Sequence, residues 1–185
     1  MTERIFIACE GESEAKYLEC ISKNINANII YKVYGGYKST NILEKIIKNF
    51  RKDKPEVIYV WKDYDVNQRK DKNWDKIENL INKMNKTMKH CKIEMIYSYY
   101  NFEDFISMHS DKCTEWQKIC QQNNHFYQPM YSDVYLQKFQ QLFPGYQKSI
   151  LYFNEIDDGK INTLKQNQQN KNCHFKCGII KLFFG

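Results

Sequence analysis

Four short apolar runs punctuate the first hundred residues: Ile5 to Cys9, Ile29 to Tyr34, Val57 to Trp61 and Ile93 to Ser98. The first and third are nearly continuous in apolar residues, the pattern of a strand covered on both faces in a parallel sheet. Between the runs the period changes to that of a helix, with Ala15, Leu18 and Ile21, then Ile42, Ile46 and Ile47, then Ile77, Leu80, Ile81 and Met84. Ser13 reads as the cap of the first helix, with Glu14 in its first turn favoured by the helix dipole. Gly35-Gly36 breaks the chain after the second run, and Asn41 with Glu44 three residues on reads as a capping box for a helix reaching about Phe50. Four strand–helix units in succession predict an α/β fold: a mainly parallel sheet with right-handed crossovers and helices on both faces.

Beyond Phe102 helical spacing takes over. Phe102, Phe105, Ile106 and His109 mark one helix, Trp116, Ile119 and Cys120 a second, Tyr135 to Phe143 a third and Ile150 to about Lys165 a fourth. The polar run Gln166 to Asn172 reads as a loop, and the apolar run Ile179 to Phe184 as a segment packed back onto the core. The expected organisation is a single domain over residues 1–185, with an α/β core over about 1–110 and a helical part over about 111–185. A chain of 185 residues is long enough for a substantial core.

Chemistry gathers where two of the strands end. Glu10, Glu12 and Glu14 follow the first run, and Asp63 and Asp65 follow the third. Ligands of open α/β sheets bind at the carboxyl ends of the strands. Alone, three acids in a turn are an ordinary hydrophilic loop; a second acidic strand end changes that weighing. On extended backbone, Asp63 and Asp65 point to one face and can converge on a cation, and hard oxygen donors suit magnesium or manganese better than zinc. Glu103, in the first turn of the helix leaving the fourth strand, is placed near the same end, although a helix-start glutamate needs no special explanation.

Composition adds exclusions. Lys and Arg number 28 against 22 Asp and Glu, for a net charge of +6, which admits a polyanionic partner without requiring one. No apolar run approaches the ~18 residues of a membrane span and the first residues lack a signal-peptide pattern, so a cytoplasmic protein with no membrane partner is expected. Seven scattered cysteines do not form a disulfide framework. Cys173, His174 and Cys177 lack a second ligand pair at finger-like spacing, which favours structural thiols over zinc.

These blocks together resemble the Toprim domain, and within it the RloB-like family. Cys9-Glu10-Gly11-Glu12-Ser13-Glu14 with Tyr17-Leu18 is similar to the family's opening motif, displaced by one position, with Ser13 in its Thr place and Glu14 in its Glu place. Asp63-x-Asp65 is similar to the second Toprim motif. In Ser98 to His109, Ser98, Phe102, Glu103 and His109 match a further block, with Phe105 in place of Trp, and Tyr146-Gln147-Lys148 resembles a Tyr-x-Lys nearer the C-terminus. Two departures stand out: Tyr99-Tyr100 replace Asn-Pro, which alters the turn before the Glu103 helix, and Val66-Asn67 stand where further acids are common, which bears on a second metal.

The resemblance implies a Mg2+- or Mn2+-dependent nuclease of the Toprim type, acting on DNA or RNA, in antiphage defence. It implies Asp63 and Asp65 as metal ligands, Glu10 as a ligand or general acid/base, and Glu14 and Glu103 completing the site. Lys62, Lys148 or Lys160 could stabilise developing charge. The competing expectation is a non-catalytic module that binds nucleic acid or a partner ATPase, with self-association left open. A topoisomerase or primase is disfavoured, since these 185 residues carry no strand-passing or primer-binding domain.

Overall fold

The computed structural model describes residues 4–25, 27–35, 40–64, 72–99, 101–123, 132–146, 156–171, 173 and 175–184. The chain divides into two compact units, residues 1–62 with 68–96, and residues 63–67 with 97–185.

The first unit is built on strands β1 (Arg4–Cys9), β2 (Asn28–Val33), β3 (Val57–Asp63) and β4 (Lys92–Tyr99), which follow the four apolar runs closely; the final residue of β3 and the last three of β4 belong to the second unit. These strands form an all-parallel sheet in the order β2-β1-β3-β4. Strand β1 pairs on one side from Arg4↔Asn28 to Cys9↔Val33 and on the other from Phe6↔Ile58 to Cys9↔Trp61. Helices α1 (Glu12–Ile21), α2 (Thr40–Phe50) and α3 (Lys72–Thr87) make the crossovers. Alternation along the strands separates two faces. Phe6, Ala8, Ile58, Val60 and Ile93 pack with Leu43, Ile47 and Phe50 of α2 and Ile77, Ile81 and Met84 of α3. Trp61 points the other way and meets Tyr17 of α1 edge-on, ring centroids 5.9 Å apart. The first crossover thus runs over one face and the next two over the other, as right-handed connections require when the strand order reverses.

Several local expectations are corrected. The first helix is capped by Gly11, so Ser13 lies inside it and only Glu14 plays its part in the start. Thr40 already belongs to α2, which places Asn41 inside the helix and leaves Glu44 paired with Lys48 at 2.7 Å instead of closing a capping box. The buried stripe of α2 is Leu43, Ile46, Ile47 and Phe50, while Ile42 is half exposed.

The second unit contains α4 (Phe102–Ser107), α5 (Cys113–Gln122), α6 (Ser132–Leu142), α7 (Asp158–Gln169), β5 (Lys176–Cys177) and α8 (Gly178–Phe184). The two-residue β5, too short to read from sequence, pairs antiparallel with the end of β4 through Ser98↔Cys177 and Tyr99↔Lys176. Helix α7 begins at the Asp157 cap, whose side chain accepts from Lys160 N–H, and continues through Gln166 to Gln169, so the first half of the expected loop is helical. The earlier part of that expected helix, residues 150–155, lies outside the described residues. Ile179 and Ile180 of α8 are buried, as expected of the final apolar run.

The core of this unit is aromatic. Phe139 lies 4.9 Å from Trp116, 4.5 Å from Phe143 and 4.8 Å from Tyr146 between ring centroids. Its thiols are structural: Cys113 Sγ and Cys173 Sγ lie 3.7 Å apart, and none of the seven cysteines is in a disulfide. Burial pushes the His109 imidazole down to about 4, against weaker opposing hydrogen bonds with the backbone at Ile106 and Phe105.

Two measurements test these assignments. Leu43→Ala should cost about 2–5 kcal/mol in urea unfolding, whereas Ile42→Ala should stay within about 0.5 kcal/mol; equal costs would misplace the helix face. His109 takes up a proton near pH 6.5 when unfolded but only near 4 when folded. Its contribution is therefore intact above about pH 6.5 and is lost as the pH falls toward 4, about 3 kcal/mol across that window. His109→Leu should flatten this part of the stability–pH curve, and an unchanged slope would remove His109 as its cause.

Candidate functional site

The strand order 2-1-3-4 reverses between β1 and β3, because the chain leaves β1 in one direction to form β2 and returns past it to form β3. At such a switch point the connections diverge to opposite faces, which opens a crevice at the carboxyl ends. Tyr34 fixes both edges of that opening. Its N–H donates to the Cys9 carbonyl at 3.0 Å, and its buried hydroxyl donates to the Trp61 carbonyl at 3.3 Å. The next residue in each strand is then charged: Glu10 after Cys9 and Lys62 after Trp61.

Those two side chains meet. Lys62 Nζ lies 2.7 Å from Glu10 Oε1, with the Lys62 side chain 4% exposed and that of Glu10 21%. A buried ammonium needs a partner, since its desolvation costs several kcal/mol. Glu10 meets that need and still reaches solvent at the crevice. Of the three lysines considered from sequence, Lys62 is therefore the one seated at this strand end. Lys160 instead contacts Asp157 at 3.2 Å within the start of α7, and Lys148 lies outside the described residues.

Glu14 closes the turn from behind. It is buried, and its Oε2 accepts from Gly11 N–H at 3.2 Å. Gly11 has ordinary extended backbone, so its role is spatial: a Cβ there would stand 3.0 Å from Glu14 Oε2. The Glu-Gly pair is thus a charged residue at the strand end followed by a residue small enough for a buried carboxylate to reach its N–H. Glu12 is exposed.

The remaining acids belong to the second unit. Asp63 directly follows Lys62 as the last residue of β3, and its Oδ1 is shielded from solvent. Beyond it, Tyr64 N–H donates to the Ser98 carbonyl at 2.8 Å, and the Tyr64 ring sits about 5 Å from those of Tyr97 and Tyr99. Asp65 lies outside the described residues, as do Val66 and Asn67. Glu103 starts α4 and accepts a hydrogen bond from the Tyr146 hydroxyl at 2.9 Å, which brings together two residues from separate motif blocks. Among the described residues, no group of three or more His, Cys, Asp or Glu side chains forms a metal centre.

Sequence reasoning missed the residues that hold α4 in place. Asn101 caps the helix, its Oδ1 accepting from Asp104 N–H and from the Tyr135 hydroxyl, each at 2.9 Å. It performs the turn-setting role that the Tyr99-Tyr100 departure put in question. Asp104, fully buried, accepts from Trp116 Nε1 at 2.8 Å, and its Oδ1 lies 2.9 Å from the Tyr135 hydroxyl, whose single proton it shares with Asn101 Oδ1. Burial, then the Asp104 carboxylate, raises the Tyr135 phenol well above its ordinary range, so Tyr135 stays a donor. The available signal was an acid beside Glu103 in a helix otherwise rich in apolar residues.

A double-mutant cycle measures the ion pair. Lys62→Met and Glu10→Gln should each destabilise, by roughly 3 kcal/mol when Lys62 is left buried without its carboxylate. The double variant should recover part of the loss, with a coupling of about 1–3 kcal/mol; additive effects in chemical denaturation would show that the two charges do not depend on each other. Compared with family models, with curated proteins and with solved structures, the chain gives no significant match.

Proposed function

We propose that this protein is a divalent-metal-dependent nuclease of the Toprim type, hydrolysing phosphodiester bonds of DNA or RNA. The observation that carries the reading is the Lys62–Glu10 pair at the switch point of a parallel sheet, with Asp63 as the next residue. Charged groups held at a ligand-binding edge at a cost in desolvation are characteristic of functional sites.

The donor set suits magnesium or manganese, since Glu10, Asp63 and Asp65 offer hard carboxylate oxygens and no thiol or imidazole. When bound, such a cation would supply Lewis acidity toward a phosphoryl oxygen and toward the attacking water. The chain's own contributions are separable. Asp63 and Asp65 would hold the cation, with Glu10 either sharing it or handling the proton of the nucleophile. Lys62 takes Glu10 Oε1 and thereby orients the carboxylate at the strand end. Glu14, tied to Gly11 N–H, sets the turn that presents Glu10. Glu103, braced by Tyr146, would complete the set of acids.

The resemblance to the RloB-like family implies a role in cytoplasmic antiphage defence, with an ATPase as the candidate partner. No described helix is long and apolar enough to cross a membrane.

The test is cleavage of single-stranded DNA, double-stranded DNA and tRNA with magnesium or manganese, with and without an ATPase encoded beside it. Asp63→Asn should lower hydrolysis on the order of 100-fold or more, while binding to nucleic acid holds or tightens because one repulsive charge is gone. Equal cleavage by both proteins would place the activity elsewhere. No cleavage by wild type under any of these conditions would overturn the enzyme reading in favour of a binding module.

A further inference from the structure

At the other end of the sheet, where β3 and β4 begin, the first unit carries a cavity of about 530 Å³ that the proposed chemistry does not use. Its wall is formed by Arg51, Lys54, Lys89 and His90, with Met88 and Cys91 among the less polar residues of the lining. Among the described residues, no acidic side chain lines it. Of the nearby acids, Asp53 pairs with Arg4 at 3.1 Å and Glu94 with Lys92 at 2.6 Å, while Glu56, next to Pro55 of the lining, is exposed.

Electrostatics favour an anion here. Helix α3 ends at Thr87 in the cavity wall, and its carbonyl end contributes about half a negative charge. Three formal positive charges on Arg51, Lys54 and Lys89 exceed that, so the cations do more than complement a helix end. Burial raises the Cys91 thiol above its ordinary range, and the Arg51 charge opposes the rise.

Backbone geometry points the same way. Lys54 adopts φ 53°, the one left-handed non-glycine among the described residues, and its N–H closes the preceding turn on the Arg51 carbonyl at 3.0 Å. That conformation caps the turn Arg51–Asp53 and fixes the backbone that joins the two cations. Across the cavity, Lys92 N–H donates to the Glu56 carbonyl at 2.7 Å, tying the two strand entries together. The walls are therefore anchored to the sheet.

We propose that this cavity binds the phosphate of a nucleotide-sized ligand, at a second site separate from the carboxyl-end acids. Its volume lies in the range of small-ligand pockets. Arg51 offers the planar fork that suits phosphate oxygens, Lys54 and Lys89 add point charges, and the less polar lining around Met88 and Cys91 accommodates a nucleoside. The source of the phosphate is either a free nucleotide or the backbone of a strand. The site requires no metal and stands whether or not the opposite end cleaves.

The experiment uses the full chain in EDTA, titrated with inorganic phosphate, AMP and an oligothymidylate of about eight nucleotides, followed by calorimetry and backbone amide NMR. Saturable shifts confined to residues 51–55 and 87–91 are expected. Arg51→Gln/Lys89→Gln should weaken binding about tenfold or more, whereas Lys16→Gln, whose lysine pairs with Glu19 on α1, should not. If the double variant fails to fold, Lys54→Gln alone should give a smaller loss. Saturation by AMP assigns the site to a nucleotide, and saturation by the oligonucleotide alone assigns it to a strand. Shifts that do not saturate, that map elsewhere, or that persist with equal affinity in the charge variants would overturn the proposal.

Discussion

Strand β1 is confined on four sides, and the first unit depends on that confinement. It has hydrogen-bonded neighbours along both edges and helices over both faces, so Ile5 to Cys9 are all buried. No charge can be accommodated until the chain leaves the sheet, and the first residue to do so is Glu10. One strand over, Ile58, Val60 and Trp61 are buried and so is Lys62, whose charge is accommodated only with the Glu10 carboxylate beside it. Parallel pairing in register sets Cys9 opposite Trp61, and the next residues along each strand carry opposite charges. The Glu10–Lys62 contact thus follows from parallel pairing in register, with a buried ammonium meeting the first carboxylate beyond β1.

The two units reach stability by different chemistry. The first relies on aliphatic side chains between sheet and helices, an arrangement that period and run length describe well. The second is stabilised by aromatic edges and a buried polar network around Asp104, with thiols filling space between elements. A buried carboxylate is tolerable there because an indole N–H and a phenol donate to it.

That difference explains what could be read from the sequence. Strands β1 and β3 are legible because a parallel strand covered on both faces has to be nearly apolar throughout, and β2 and β4 because their β-rich runs are bounded by breakers. The candidate acids were legible because they end those runs, and the switch point supplies the reason the ends matter. Details set by three-dimensional fit were not. Ile42 and Leu43 are equally apolar neighbours, and only the rotation of α2 decides which one faces the sheet. Ser13 is the better cap by propensity, yet the helix starts at Gly11 because Glu14 supplies the closing bond. The Gln166 to Gln169 segment looked like a loop because it carries no apolar stripe, but an Asp157 cap and anchoring by Ile161 and Leu164 carry the helix through it. Asn101, Tyr34 and Asp104 act through partners distant in sequence, a relation that local pattern does not encode.

The closeness of Gly11 to the Glu14 carboxylate also constrains how this turn can vary through descent. A Cβ at position 11 would stand 3.0 Å from Glu14 Oε2, so a larger residue there requires the Glu14 carboxylate to shift and the two positions are coupled. A lineage that shortened Glu14 first would open room for alanine or serine at position 11, while the reverse order passes through a crowded intermediate. Paired change at these positions, in that sequence of steps, is the historical signature this turn would leave.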